Sequence, residues 1–191
     1  KVDELAMSRP LSWFEENLIS SVPARYQGGG RHVYPGFVQL GAFLQMNLPR
    51  HMRAQLDLLD YVVKGEDDKA EVSRKFYDEY FSVADLPEAF YLETVQKIFK
   101  EHHLPRGMLD YKGRRVNPAA ICDTALLTVE GERDDICSVG QTAAAHDLCT
   151  GITRKARHVQ PGAGHYGVFS GHRWHTQVYP VVREMIARTA I

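Results

Sequence analysis

The spacing of apolar positions changes near residue 117 and divides the chain. Before that point it is helical. Leu11, Phe14, Leu18 and Ile19 follow Pro10 at helical intervals, so residues 10–19 are predicted as a short amphipathic helix with proline in its first turn. Gly28-Gly29-Gly30 breaks the pattern, and Arg31 to Pro35 reads as an irregular extended connector. From Phe37 to His103 nearly every segment is helical. Phe37, Leu40, Phe43, Leu44 and Leu48 form one stripe, and Met52, Leu56, Leu59, Val62 and Val63 form another. Further helices are predicted over 71–81 and 87–102, the last opened by Pro87 and closed by Pro105-Arg106-Gly107.

After Asn117-Pro118 the texture changes. Thr124 to Val129 is a continuous apolar run rich in β-formers, the pattern of a strand buried on both faces. Gln141 to Cys149 is helical, Arg157 to Gln160 is a short strand, and Trp174 to Ala187 is a closing amphipathic helix. Strand, helix, strand, helix in that order predicts an α/β class with a parallel sheet and flanking helices. The whole reads as a helical insertion between two parts of an α/β domain.

Composition narrows this little. At 191 residues with 44% hydrophobic positions, the chain can bury one good core. The net charge of −1, from 23 basic and 24 acidic residues, supplies no field toward nucleic acid or an anionic membrane. No apolar run approaches the ~20 residues of a membrane span. Three cysteines, Cys122, Cys137 and Cys149, make no disulfide framework and favour a reducing compartment. The chain opens on Lys1 with no signal-peptide core behind it, and is expected to be a fragment or excised domain.

Two loops carry candidate chemistry. In a parallel sheet, functional groups collect beyond the carboxyl ends of the strands. Asp134 stands three residues after Gly131, just past a predicted strand, where an acid can accept the Nδ1–H of a histidine and fix its tautomer. Asp135 competes for that role, and the run Glu130, Glu132, Asp134, Asp135 also reads as a solvated acidic loop. His165 lies between Gly164 and Gly167, which would let the backbone turn sharply, and follows the short strand near Val159. Eight other histidines are present, so its residue type alone decides nothing. Acid and then histidine, each after a strand, is the order found in the back half of a nucleophile–acid–His hydrolase. The nucleophile is missing: no Gly-x-Ser-x-Gly or Gly-x-Cys-x-Gly elbow occurs, and each cysteine reads as a small buried or half-buried hydrophobe. His172 with His175, and His102 with His103, lack the further ligands that a metal needs. No phosphate-binding loop is present, and no cofactor is expected.

Longer motifs point to a family. Tyr34-Pro35-Gly36-Phe37-Val38-Gln39-Leu40, Met46-Asn47-Leu48-Pro49-Arg50-His51 and Phe90-Tyr91-Leu92-Glu93-Thr94-Val95 are three of them. Thr128 to Ile136, Gly140 to His146 and Gly164-His165-Tyr166-Gly167-Val168-Phe169 are others. Together they resemble the C-terminal domain of intracellular polyhydroxyalkanoate depolymerases, over nearly the whole chain. The resemblance implies an α/β-hydrolase related to polyhydroxyalkanoate synthases that cleaves storage polyester through a cysteine, an Asp and a His. Asp134 and His165 fall on the acid and base motifs, and the nucleophile would lie upstream. It further implies a core segment with connector over 1–35, a helical cap over 36–105 and the C-terminal hydrolase half over 106–191. The implied partner is polymer or granule surface. Most cap aromatics (Phe76, Tyr77, Tyr80, Phe81, Phe90, Tyr91, Phe99) then read as packing, with a minority lining a polymer groove or touching the granule. Acyl transfer, as in a synthase, and a catalytically incomplete granule-binding protein are the alternative readings.

Overall fold

Proline and glycine punctuate the first unit of the fold. In the computed structural model, which describes residues 2–189, that unit runs over Lys1–His103 and a second over Leu104–Ile191. The first opens with α1 (Val2–Ser8), which the spacing did not predict, and α2 (Leu11–Leu18), which follows Pro10 and buries Phe14. Two short strands follow, β1 (Ser20–Ser21) and β2 (His32–Tyr34). Three helices come next: α3 (Gly36–Met46), α4 (Leu48–Lys64) and α5 (Asp67–Phe81). Asn47, with φ −145°, ends α3 and opens α4, so the stripe from Phe37 to Leu48 spans two helices rather than one. β3 (Leu86–Pro87) and α6 (Glu88–Thr94) complete the order, and α6 runs on as a π-helical turn over Val95–Lys100. Through that turn Lys100 reaches the carbonyls of Ala6 and Arg9 at 2.7 Å each.

The segment read as an irregular connector is the central strand of a small sheet. β2 pairs antiparallel with β1, Ser20 opposite Val33, and with β3, Tyr34 opposite Leu86. Strands this short carry no alternation of their own, so only the pairing defines them.

The aromatic side chains depart from the packing expected of them. Of the seven, only Tyr77 is buried; Phe76, Phe81 and Phe90 are exposed and the other three half-buried. Phe76, Tyr77, Tyr80 and Phe81 stack mainly on each other along α5, and His51 of α4 joins them 3.1 Å from the Tyr77 hydroxyl. The α4 stripe also faces outward: Met52, Leu56 and Leu59 are about three-fifths exposed and Val63 is 77% exposed.

The second unit begins with a hairpin of β4 (Asp110–Tyr111) and β5 (Arg114–Arg115). Its turn holds Lys112 and Gly113 in the left-handed region, as a tight two-residue connection requires. The main sheet is a parallel pair, β6 (Leu126–Gly131) and β7 (Lys155–Gln160), in register from Leu126 opposite Lys155 to Gly131 opposite Gln160. Between them lies α7 (Ala145–Leu148). After β7, a 3₁₀ turn over His165–Val168 leads into α8 (Gly171–Arg173), a π-helical turn over Trp174–Val178 and α9 (Tyr179–Thr189). Parallel strands with helices between and after them are of α/β character. The helix predicted over 141–149 is cut to four residues, because the amides of Gly140, Thr142 and Ala143 bind a side chain of β6 instead. No described helix is long and apolar enough to cross a membrane.

Candidate active site

Beyond their carboxyl ends, β6 and β7 continue as two loops laced together by backbone. Glu132 N–H donates to Gln160 O at 3.0 Å and Arg133 N–H to Ala163 O at 2.9 Å. Gly162 N–H donates to the Glu132 carboxylate at 2.7 Å. Two glycines make this approach possible. A Cβ on Gly131 would meet the Ala163 carbonyl oxygen at 2.6 Å, and Gly162, φ +65°, makes the left-handed turn that leaves β7. Gly164, immediately before His165, makes no such turn; its φ of −88° is open to any residue.

This lacing brings Asp134 and His165 together. Asp134 Oδ2 accepts from His165 Nδ1 at 2.9 Å. The other oxygen, Oδ1, accepts the backbone N–H groups of Ile136 at 2.9 Å and Cys137 at 2.8 Å. The Asp134 side chain is 4% exposed and that of His165 30% exposed. Burial pushes the Asp134 carboxyl up, but the Cys137 amide, His165 and the Ile136 amide outweigh it and hold it below its ordinary value. As a carboxylate it only accepts, so Nδ1 carries the proton and Nε2 is left to exchange one. The rings of Tyr166 and Phe169 stand edge-on to the imidazole, centroids 5.5 and 5.8 Å away. Asp135, the competing acid, is exposed.

The acidic run is not one solvated loop, as its composition suggested. Glu132 and Asp135 are exposed, while Glu130 is enclosed and Asp134 nearly so. Glu130 receives the amides of Gly140, Thr142 and Ala143, and the Arg157 guanidinium at 3.1 Å. Burial raises its carboxyl, and the amides of Ala143 and Gly140 with Arg157 bring it below the ordinary value. The sequence reading missed this residue. The available signal was strand alternation, since Thr128 and Glu130 share the buried face of β6.

The family model described as PHB de-polymerase C-terminus matches residues 1–190. The chain belongs to that family. No curated protein and no solved structure matches it.

In this PHB depolymerase C-terminal domain the three cysteines are free, and Cys122 is exposed rather than buried. Cys137 and Cys149 are half-buried, and Cys137 Sγ lies 3.3 Å from Thr142 Oγ1. Among the described residues no cysteine or serine side chain hydrogen-bonds to His165. Nor do any three His, Cys, Asp or Glu side chains converge as metal ligands among them.

Proposed function

We propose that this chain is the C-terminal portion of an intracellular polyhydroxyalkanoate depolymerase, an α/β-hydrolase with residues 36–105 as its helical cap. It hydrolyses storage polyester through a nucleophile–His165–Asp134 triad. The observation that carries the reading is the 2.9 Å bond from His165 Nδ1 to a buried Asp134 carboxylate already held by two amides. This is the acid–base half of such a triad, with tautomer and orientation set in advance.

The nucleophile, a cysteine in this reading, lies upstream of Lys1. His165 Nε2 takes its proton as sulfur attacks the ester carbonyl. Asp134 stabilises the imidazolium that results, and the imidazolium returns the proton to the departing alkoxide. Water, deprotonated at the same Nε2, then attacks the thioester carbonyl, the C–S bond breaks, and Nε2 returns the proton to the departing cysteine sulfur. Family membership supports polyester as substrate, and the outward stripe of α4 supports contact with the granule surface.

The decisive experiment is 3-hydroxybutyrate release from native granules by the full-length protein and its His165→Ala variant. The variant is expected to lose at least ~10³-fold in rate. Near-full activity in it would remove His165 from the mechanism.

A further inference from the structure

Glu130 has no hydrogen bond or ion pair to His165 among the described residues, yet its side chain is fully enclosed. Its bonds run to the segment that follows Asp134 and to the neighbouring strand. Oε1 accepts the N–H groups of Gly140 at 2.8 Å, Thr142 at 3.0 Å and Ala143 at 3.0 Å. Oε2 accepts from Arg157 Nη2 of β7 at 3.1 Å. An enclosed carboxylate without such partners is strongly disfavoured, so residues 140–143 and Glu130 fix each other's positions.

The near end of the same loop is the Asp134 turn. There the amides of Ile136 and Cys137 grip Asp134 Oδ1, and Cys137 Sγ contacts Thr142 Oγ1 at 3.3 Å. Residues 134–143 therefore form one loop with a carboxylate gripping each end. If the far end is released, the amides at 136 and 137 lose their fixed placement. The Asp134 carboxylate can then swing away from the imidazole.

Resting on the acid–base reading of Asp134 and His165, we infer that Glu130 is a positioning residue of the site. It ties the 140–143 segment to β6 and thereby keeps two amides on Asp134. Its effect on the reaction is indirect, through the orientation of Asp134.

The test uses the full-length protein. Glu130→Gln keeps the size of the side chain and one acceptor oxygen but gives up the charge that strengthens these bonds. Its kcat is expected to fall on the order of tenfold to a hundredfold, with KM within about twofold. The far-downfield proton resonance of His165 Nδ1–H is expected to broaden or vanish in the same variant. Arg157→Met alters a half-exposed side chain and removes only the Oε2 partner. It is expected to give a smaller loss of the same kind, and it decides the matter if Glu130→Gln does not fold. Wild-type kcat with the resonance intact in the deciding variant overturns the inference. So does a loss confined to KM with the resonance intact. His165→Ala, run alongside, separates the two claims. If it is active, the acid–base reading itself has failed; if it is dead while Glu130→Gln is fully active, only the role of Glu130 has.

Discussion

Gly131 faces Ala163 so closely that a methyl group on its Cα would lie 2.6 Å from the Ala163 carbonyl oxygen. The obstacle is backbone, and Arg133 N–H is bonded to that same oxygen at 2.9 Å. Gly131→Ala must therefore push the two loops apart. Thermal unfolding is expected to record a loss of about 1–3 kcal/mol, with a fall in kcat in the same variant.

Asp134→Asn is the sharper probe of chemistry. An amide in place of the carboxylate keeps the shape but presents a different hydrogen-bond set to Nδ1 and no charge to the imidazolium. On the proposed mechanism, kcat of the full-length protein is expected to fall about 10³–10⁴-fold with KM little changed. Asp135→Asn, on an exposed neighbour, is expected to stay within about twofold.

Acid should find both buried carboxylates. Glu130 and Asp134 are each held below their ordinary values in the folded protein. Between the folded and unfolded values the unfolded chain binds more protons, so stability rises with pH there. Their contribution is complete above the unfolded value of about 4 and is lost as pH falls through the folded ones. Urea unfolding across roughly pH 2–5 is expected to show this slope, and a flatter one in Asp134→Asn.

The α4 stripe makes a separate prediction. Arg53 pairs with Asp57, and Lys64 with Asp60, along the helix itself, so its apolar stripe can be altered without unpairing these charges. Replacing Leu56, Leu59 and Val63 together with Gln is expected to lower the granule-bound fraction by more than about tenfold. Hydrolysis of a soluble oligomer is expected to persist. Co-sedimentation with granules and a parallel soluble assay check the two halves.

Much of the second unit was legible because its signals are local. The apolar run into Glu130-Gly131 and the short strand at Val159 each carry their own pattern, and both strands form, β6 shifted two residues on from its predicted start. The pairing of Asp134 with His165 followed the order of motifs, but the choice of Asp134 over Asp135 needed coordinates. Glu130 was hidden because a buried carboxylate in an acidic run looks like its solvated neighbours. β1, β2 and β3 were hidden because strands of two or three residues exist only through partners distant in sequence. The left-handed turn lies at Gly162 rather than beside His165 because the chain reverses as it leaves the strand.

The parallel pairing of β6 and β7 also bears on how the site comes into being. Asp134 and His165 are 31 residues apart in the chain, and the bonds that draw them together extend the same ladder. The Asp134 loop has bonds of its own to β6 through Glu130, but His165 meets Asp134 only once β7 lies beside β6. Closing that span costs entropy that only the completed ladder repays. The hydrogen bond between Asp134 and His165 should thus form in the same cooperative step as the sheet, and a refolding experiment that follows the His165 Nδ1 proton would be timing β-pairing itself.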